Sequence, residues 1–128
     1  MTKVLVVVED DVDMQLLITI TLQSDGRLEL CGAATTAEEA VRLARESQPD
    51  LVILDHFIQG EVMGLQAAPM IKQVAPAAKI LLFTSHDLAT EASRESAIDA
   101  FLQKSYLPNL LPTAQRLLGL DPLMPQPV

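Results

Sequence analysis

Five short apolar runs, separated by segments of helical length, constrain the fold of this chain more than any other feature. The runs are continuous rather than alternating in polarity, which is typical of parallel strands buried on both faces. Their order, strand then helix five times over, predicts an α/β domain with an open, doubly wound parallel sheet, because five units are too few for an eight-stranded barrel. The predicted strands are 4–8 (VLVVV), 28–34 (LELCGAA), 51–54 (LVIL), 80–83 (ILLF) and 100–102 (AFL).

A segment of helical length follows each predicted strand. The clearest is 36–47, where Thr36 and Glu39 form a capping-box pattern ahead of an apolar helix face. Pro69 lies inside 64–74 and removes one backbone hydrogen bond, so this helix is expected to bend or to start late. The five predicted helices are 12–24, 36–47, 64–74, 87–97 and 107–118.

The length predicts one domain followed by an extended end. A chain of 128 residues is long enough for one core and cramped for two. The last nine residues, LDPLMPQPV, contain three prolines and predict an extended tail or the start of a linker. We therefore expect a domain at 1–119 and a tail at 120–128.

The charge limits the classes of partner. With 17 acidic and 9 basic residues the net charge is -8, which disfavours direct binding to nucleic acid or to anionic lipid. No apolar run approaches the ~18 residues of a membrane span, and the start, MTKVLVVVEDD, is wrongly flanked for a secretory signal. A cytoplasmic protein without membrane contact is the expectation.

Acidic, hydroxyl and amino side chains follow the predicted strands at their carboxyl ends. Glu9 and Asp10 follow the first strand, Asp55 the third, Thr84 ends the fourth and Lys104 follows the fifth. These ends share one edge of a parallel sheet, where ligands bind. Acids in such positions are most often helix N-caps, but three carboxylates held together repel by ~4 kcal/mol per close pair at an effective dielectric of about 20. A divalent cation relieves that repulsion, and oxygen ligands suit Mg²⁺, which bridges readily to phosphate.

Four motifs occur in order between residues 3 and 118: VLVVVEDD, PDLVILD followed by Gly64, ILLFTSH and AFLQK. Together they resemble the receiver domain of bacterial two-component response regulators. The resemblance implies a single flavodoxin-like (βα)5 domain whose five parallel strands have the order 2-1-3-4-5.

The resemblance also implies a role for each residue at the sheet edge. Asp55 is the implied phosphoacceptor, Thr84 and Lys104 bind the phosphoryl group, and Phe101 takes the place of the aromatic switch residue. The implied ligands of Mg²⁺ are Glu9, Asp10, Asp55 and the backbone carbonyl of Phe57.

The function implied by this resemblance is a phosphorylation switch rather than a classical enzyme. A sensor histidine kinase or a phosphotransfer protein supplies the phosphoryl group from phosphohistidine, and the domain catalyses its own phosphoryl transfer and acyl-phosphate hydrolysis. Phosphorylation is expected to draw Thr84 inward and to let Phe101 rotate. This changes a surface built from the fourth helix, the fifth strand and the fifth helix, which binds a partner or a second copy. The segment KSYLPNLL looks like receivers that precede helix-turn-helix transcription factor domains, so an effector domain after the tail is a further expectation.

Two residues depart from the family pattern. Gln59 stands where proline is usual, which predicts a more mobile loop after Asp55. Ser105 follows Lys104 where proline is common, which predicts a trans peptide bond or a reshaped turn, because a cis bond without proline costs ~3 kcal/mol.

Several alternatives stay open. His56 is either a pH-sensitive neighbour of Asp55 or a loop residue that faces solvent or packs on the sheet edge. Phe57 and His86 are candidates for modulating dephosphorylation. A degenerate receiver that docks proteins without phosphorylation is the alternative function, although the five active positions are filled. A phosphatase that forms an aspartyl phosphate is disfavoured, because Phe57 stands where such enzymes carry a second acid.

Overall fold

A computed structural model describes residues 1–8 and 12–122 of the chain. The strands are β1 (Thr2–Val7), β2 (Leu28–Ala34), β3 (Leu51–Leu54), β4 (Lys79–Thr84) and β5 (Ala100–Gln103). The helices are α1 (Val12–Gln23), α2 (Ala37–Ser47), α3 (Gly64–Val74), α4 (Ala89–Ser93) and α5 (Leu110–Leu118), with a 3-10 helix at Lys104–Asn109. Within these ranges no helix combines the length and apolar character that a membrane crossing requires.

The five strands pair in parallel in one sheet with the order β2-β1-β3-β4-β5. This confirms the predicted α/β class, the doubly wound topology and the strand order. β3 lies at the centre, and all four of its side chains are buried. Because the chain order reverses between β1 and β3, the carboxyl ends of these two strands lie side by side.

Alternate strand residues enter two separate cores, one on each face of the sheet. On one face Leu5, Val7, Val52 and Leu54 pack against buried residues of α2 and α3, many of which are alanine and so allow close approach of the helices. On the other face Val4, Val6, Ile53 and Phe83 pack against Ile18 and Leu22 of α1 and Leu110 and Ala114 of α5. Burial of each large apolar side chain stabilises the fold by about 1.5–3 kcal/mol.

The fourth helix is much shorter than predicted. α4 covers Ala89–Ser93 rather than 87–97, and Ala92 is the one buried residue among its five. A helix with so little apolar surface gains little from packing, and short helices are not stable without that gain. The chain instead turns at Glu95, whose carboxylate accepts a hydrogen bond from the Ala97 N–H at 2.9 Å.

Three prolines are accommodated in or next to helices. α3 starts at Gly64 as the pattern predicts and continues through Pro69, so a late start is wrong and the helix loses only the bond to the Leu65 carbonyl. Pro108 lies in the 3-10 helix, and α5 therefore starts at 110 rather than 107. Pro112 occupies the first turn of α5, where its missing N–H has no helical partner to lose.

A buried carboxylate joins the α1–β2 turn to α5 at the amino edge of the sheet. Asp25 is fully buried, and its Oδ2 lies 2.7 Å from Nη2 of Arg27 and 3.1 Å from Nε2 of Gln115. Arg27 also donates to the Asp121 carbonyl at 2.7 Å. The Arg27 hydrogen bond holds the pKa of Asp25 well below its usual range, against the opposing effect of burial. The domain boundary at 119 stays a prediction, with residues 123–128 outside the described part of the chain.

Asp25→Asn is expected to lower the midpoint of thermal unfolding by roughly 2–8 °C at neutral pH, because the ion pair with Arg27 is lost. The folded pKa of Asp25 lies below its ordinary value of 3.8, so its contribution is present above that pH and is lost as the pH falls below it. The difference between wild type and variant therefore shrinks below about pH 4. Thermal melts followed by circular dichroism across a pH series measure it.

Glu46→Gln is the matched control. Glu46 pairs with Arg42 at 3.5 Å on the exposed surface of α2, where an ion pair contributes little to stability. Equal losses in the two variants at neutral pH, or a difference for Asp25→Asn that persists in acid, contradict the prediction.

Candidate functional site

Three of the predicted site residues meet at the carboxyl edge of the sheet. Asp55 follows β3, Thr84 ends β4 and Lys104 follows β5. The strand register pairs β3 with β4 and β4 with β5 up to these positions, so the three residues leave neighbouring strands at nearly the same level. The sequence prediction that they share one edge is confirmed.

A short ion pair joins the ends of β3 and β5. Lys104 Nζ lies 2.5 Å from Asp55 Oδ2, and both side chains are largely withdrawn from solvent. The other carboxylate oxygen, Oδ1, accepts a hydrogen bond from the Phe57 N–H at 3.2 Å. The Asp55 N–H donates to the Val7 carbonyl at 2.8 Å, which fixes the backbone beside the end of β1. A buried carboxylate needs such compensation, because burial of an unpaired charge is costly.

Thr84 lies between these two residues on the intervening strand. Its side chain is fully buried, and Oγ1 has no hydrogen-bond partner within the part of the chain that the structure describes. A buried hydroxyl without a partner costs about 1–3 kcal/mol, and such groups are rare away from functional sites. Thr84 is therefore a donor available to a group bound at this edge.

His56 fastens the loop after Asp55 to the start of α3. Its carbonyl accepts from the Gly64 N–H at 2.8 Å, and its Nδ1 accepts from the Leu65 N–H at 3.2 Å. Gly64 is required at this contact, because a Cβ would overlap the Asp55 carbonyl oxygen. Burial lowers the pKa of His56. The nearby His86 also lowers it, whereas the Asp55 carboxylate raises it. A neutral ring suits the accepting role of Nδ1, so His56 is a half-buried cap of α3.

The ring of Phe57 contacts both histidines. Its centroid lies 4.9 Å from that of His56, edge to face, and 4.5 Å from that of His86. His86 Nδ1 in turn lies 3.2 Å from Ser85 Oγ. The three rings form a row that connects the loop after β3 to the loop after β4. We refer to His56, Phe57 and His86 as the aromatic row.

Gln59 anchors the loop that its sequence position predicted to be more mobile. Its backbone N–H, which a proline would lack, donates to the Thr35 carbonyl at 2.8 Å, and Gln59 forms an isolated bridge with Thr36. Thr36 is itself fixed as the N-cap of α2, where its hydroxyl accepts from the Glu39 N–H at 3.2 Å. The lost ring constraint is thus replaced by a hydrogen bond to the β2–α2 loop.

Phe101 lies half-buried in β5 beside a small cavity. This cavity is open to solvent, has a volume of about 200 Å³ and lies between β5 and α4; its lining includes Ala89, Ala92, Ser93, Ile98 and Phe101 itself. α4 covers this part of β5 with only five residues. The Lys104–Ser105 peptide bond is trans and the 3-10 helix starts there, as the absence of proline at 105 predicts.

The predicted Mg²⁺ ligands lie only partly within the described chain. Glu9 and Asp10 fall outside it, whereas Asp55 and Phe57 lie within it. Among the described residues no group of three His, Cys, Asp or Glu side chains could hold a metal ion. By chemistry the predicted donor set fits Mg²⁺, because carboxylate and carbonyl oxygens are the ligands that this ion prefers. The buried Asp55 oxygens at the end of β3 are consistent with that set.

Two supporting roles at this edge were not predicted from the sequence. Capping by His56 joins positions nine residues apart across a loop, and no spacing rule indicates it. For Gln59 a signal exists, since a residue that replaces proline brings an N–H for which the loop needs a partner. The contact between Phe57 and His86 depends on how two loops fold over one edge.

Comparison with known proteins gives one consistent family. The family model described as response regulator receiver domain matches residues 5–116. The response regulator protein VraR of Staphylococcus aureus is 26% identical over 107 residues, which are 82% of this chain and 51% of VraR. The chain therefore spans about half the length of the curated relatives it matches.

Solved structures give the same result for the fold. A LuxR-family two-component response regulator from Aurantimonas sp. SI85-9A1 is 27% identical with a TM-score of 0.81, covering 93% of this chain and 86% of that one. The receiver domain of NtrX from Brucella abortus is 28% identical with a TM-score of 0.79, covering 92% and 99%. The response regulator domain of Thermotoga maritima CheB, at 23% identity and a TM-score of 0.80 over 94% and 98%, shares the fold.

We expect the Gln59 amide to be protected from hydrogen exchange although it lies in a loop, because it donates to the Thr35 carbonyl. The amide of Glu61, two residues on, makes no backbone hydrogen bond among the described residues and serves as the internal control. Exchange resolved by residue with NMR measures both. Equal exchange rates at the two amides contradict the anchoring role of Gln59.

Proposed function

The chain belongs to the response regulator receiver domain family, and on that basis we propose that it is a phosphorylation switch in which Asp55 accepts the phosphoryl group. Receiver domains of this family serve phosphorylation-based signalling and interact with histidine kinases or phosphotransfer proteins. The observation that carries the assignment is the buried Asp55 carboxylate, paired with Lys104 and next to the strand whose Thr84 hydroxyl has no partner in residues 1–8 and 12–122. Lys104 supplies the positive charge and Thr84 supplies the hydrogen-bond donor that a phosphoryl group on Asp55 requires.

The transfer itself needs few groups. One carboxylate oxygen of Asp55 forms a bond to phosphorus while the P–N bond of a phosphohistidine breaks, and the imidazole leaves with that electron pair. Asp55 loses its negative charge as the acyl phosphate forms, so Lys104 leaves the carboxylate for a phosphoryl oxygen. Thr84 donates to another phosphoryl oxygen, which gives the buried hydroxyl its partner.

Mg²⁺ is generally used at the phosphorylation site of this family. Glu9, Asp10, Asp55 and the Phe57 carbonyl would hold it in this chain. When bound, it offsets negative charge on the phosphoryl oxygens.

The change at Asp55 reaches the surface through Thr84 and Phe101. Movement of the Thr84 side chain toward the phosphoryl group vacates space at the end of β4, and Phe101, half-buried in the neighbouring β5, rotates into that space. α4 is held by one buried residue, Ala92, so a shift of this helix costs little free energy. The output is a changed α4-β5-α5 surface that binds a partner or a second copy.

The domain acts as one part of a signalling protein. Its matched relatives are about twice as long, and one solved relative is of the LuxR family, so we propose that the switch controls an effector such as a transcription factor domain. It is not a classical enzyme, since the group it turns over is its own acyl phosphate. A docking module that works without phosphorylation is the alternative, and it leaves the buried Thr84 hydroxyl without a role.

Asp55→Asn is expected to abolish labelling by the small phosphodonor acetyl phosphate in the presence of Mg²⁺, because an amide oxygen is not a competent nucleophile. Intact-protein mass spectrometry measures the added phosphate. Asp87→Asn is the matched control. Asp87 is exposed in the loop that follows β4, at the same edge of the sheet, and asparagine retains the acceptor for the Ala89 N–H.

Labelling of Asp55→Asn at the wild-type level contradicts the assignment of Asp55. Beryllofluoride separates the switch from the docking module: a Mg²⁺-dependent change in the NMR spectrum of the wild type supports the switch, and an unchanged spectrum supports the docking module.

Phe57→Ala and His86→Ala are each expected to shorten the half-life of the phosphorylated form by about twofold to tenfold, because the contact between the two rings shields Asp55 from water. The double variant should decay at about the rate of either single variant, and not at the rate that multiplying the two effects gives, because each substitution removes the same ring contact. Met70→Ala, which truncates a similarly exposed apolar side chain on α3, is the control. Loss of label over time, followed by mass spectrometry, measures the decay, and unchanged half-lives refute the shielding role.

A further inference from the structure

The chain turns back over the amino edge of the sheet directly after α5. Gly119 ends the helix with a φ of 68°, a left-handed conformation that favours glycine. The Leu120 N–H then donates to the Gln115 carbonyl at 2.9 Å, which holds the turn against the last part of the helix. We call residues 119–122 the strap. It lies at the end of the sheet opposite to Asp55.

A single arginine side chain holds the far end of the strap. Nη2 of Arg27 donates to the Asp121 carbonyl at 2.7 Å and to Oδ2 of Asp25 at 2.7 Å. Asp25 is fully buried, and its other oxygen accepts from Nε of Arg27 at 3.0 Å, so two hydrogen bonds fix the orientation of the guanidinium. A planar guanidinium with several donors can serve the buried carboxylate and the strap at once.

Packing fixes the strap only in part. Leu120 contacts the core between the sheet and α5 but is not fully buried, and it lines two open cavities of about 570 Å³ and 360 Å³. Arg27 lines the larger of these cavities, and Gln115 lines the smaller one. Because the apolar contacts of Leu120 are incomplete, the hydrogen bonds to Arg27 and Gln115 decide where the strap lies.

The network that holds the strap also holds α5. The Gln115 side chain is buried and donates to Oδ2 of Asp25 at 3.1 Å. The 3-10 helix that starts at Lys104 runs directly into α5, so this part of the chain leads from the ion pair with Asp55 to the amino edge. α5 has nine residues and is about 13 Å long, and a short packed helix of this kind shifts as a unit.

We propose that Arg27 is a positioning residue that fastens the strap to the amino edge, and that displacement of α5 on phosphorylation moves the strap with it. Gln115 and Arg27 bind the same buried carboxylate of Asp25, so a shift of α5 is felt at the strap. The direction of the chain at the strap is then set by α5 rather than by a free linker. The fastening concerns the framework alone, whereas the transmission rests on the switch function proposed for Asp55.

Hydrogen exchange resolved by residue on the full 128-residue chain tests the fastening. The Leu120 amide should be protected in the wild type, and Arg27→Lys should speed its exchange about tenfold or more, because one ammonium does not replace both contacts of the guanidinium. The Gly119 amide, which bonds to the Arg116 carbonyl at the end of α5, should change little. Arg42→Lys, on the exposed surface of α2, is the matched control and should leave Leu120 unchanged.

Circular dichroism checks that Arg27→Lys is folded, since lysine keeps a positive charge beside the buried Asp25. If it does not fold, Gly119→Ala is the second test, because alanine rarely adopts the left-handed conformation at this position. Leu120 should again exchange faster. The fastening is overturned if the Leu120 amide exchanges as fast as the Asp121 amide in the wild type, or if its exchange is the same in the wild type and the folded variant.

Beryllofluoride with Mg²⁺ tests the transmission. In the wild type the amide NMR signals of Leu120 and Asp121 should shift together with those of α5, and in Arg27→Lys the shifts at these two residues should fall about twofold or more while those of α5 remain. Unmoved strap signals beside shifted α5 signals overturn the transmission and leave the switch function intact. A spectrum without any change, the loop after Asp55 included, overturns the switch function and the transmission with it.

Discussion

The ion pair between Asp55 and Lys104 is the interaction on which the organisation of the site depends. It spans the end of β4, so it exists only because β3, β4 and β5 are parallel neighbours in register. The carboxylate is buried, and the lysine compensates a charge that the apolar β3 run would otherwise bring to the edge of the core at high cost. If Asp55 is the phosphoacceptor, as proposed, its phosphorylation removes the charge that holds Lys104.

The loop after β3 is fixed by contacts to backbone groups, one of which is made by the His56 side chain. Gly64 lets α3 start against the Asp55 carbonyl, His56 caps that helix, and Gln59 bonds the loop to the start of α2. The loop after β3 is therefore tied to two helices on one face of the sheet. On this side the fold is rigid, and the compliant element is the short α4, which lies beside Phe101. A signal from Asp55 is thus expected to leave through β4 and β5.

The carboxyl and amino edges of the sheet carry different groups of polar residues. The carboxyl edge holds Asp55, Thr84 and Lys104, and the amino edge holds the Asp25–Arg27–Gln115 network that joins the α1–β2 turn to α5. Because that network is remote from Asp55, it stabilises the framework without altering the chemistry. α1 runs along one face of the sheet, and its outer side exposes Val12, Leu16, Leu17 and Ile20.

Much of the fold and of the site could be predicted from the sequence alone. Continuous apolar runs of strand length determine a parallel sheet, and strand ends determine that Asp55, Thr84 and Lys104 share an edge, because the polypeptide direction is the same in every strand. Tertiary structure decided the rest. α4 is short because its sequence offers one buried alanine to pack, which propensity does not reveal. His56, Gln59 and the contact of Phe57 with His86 depend on loops that meet across the sheet edge. The distance between two such loops in space does not follow from their separation in the sequence.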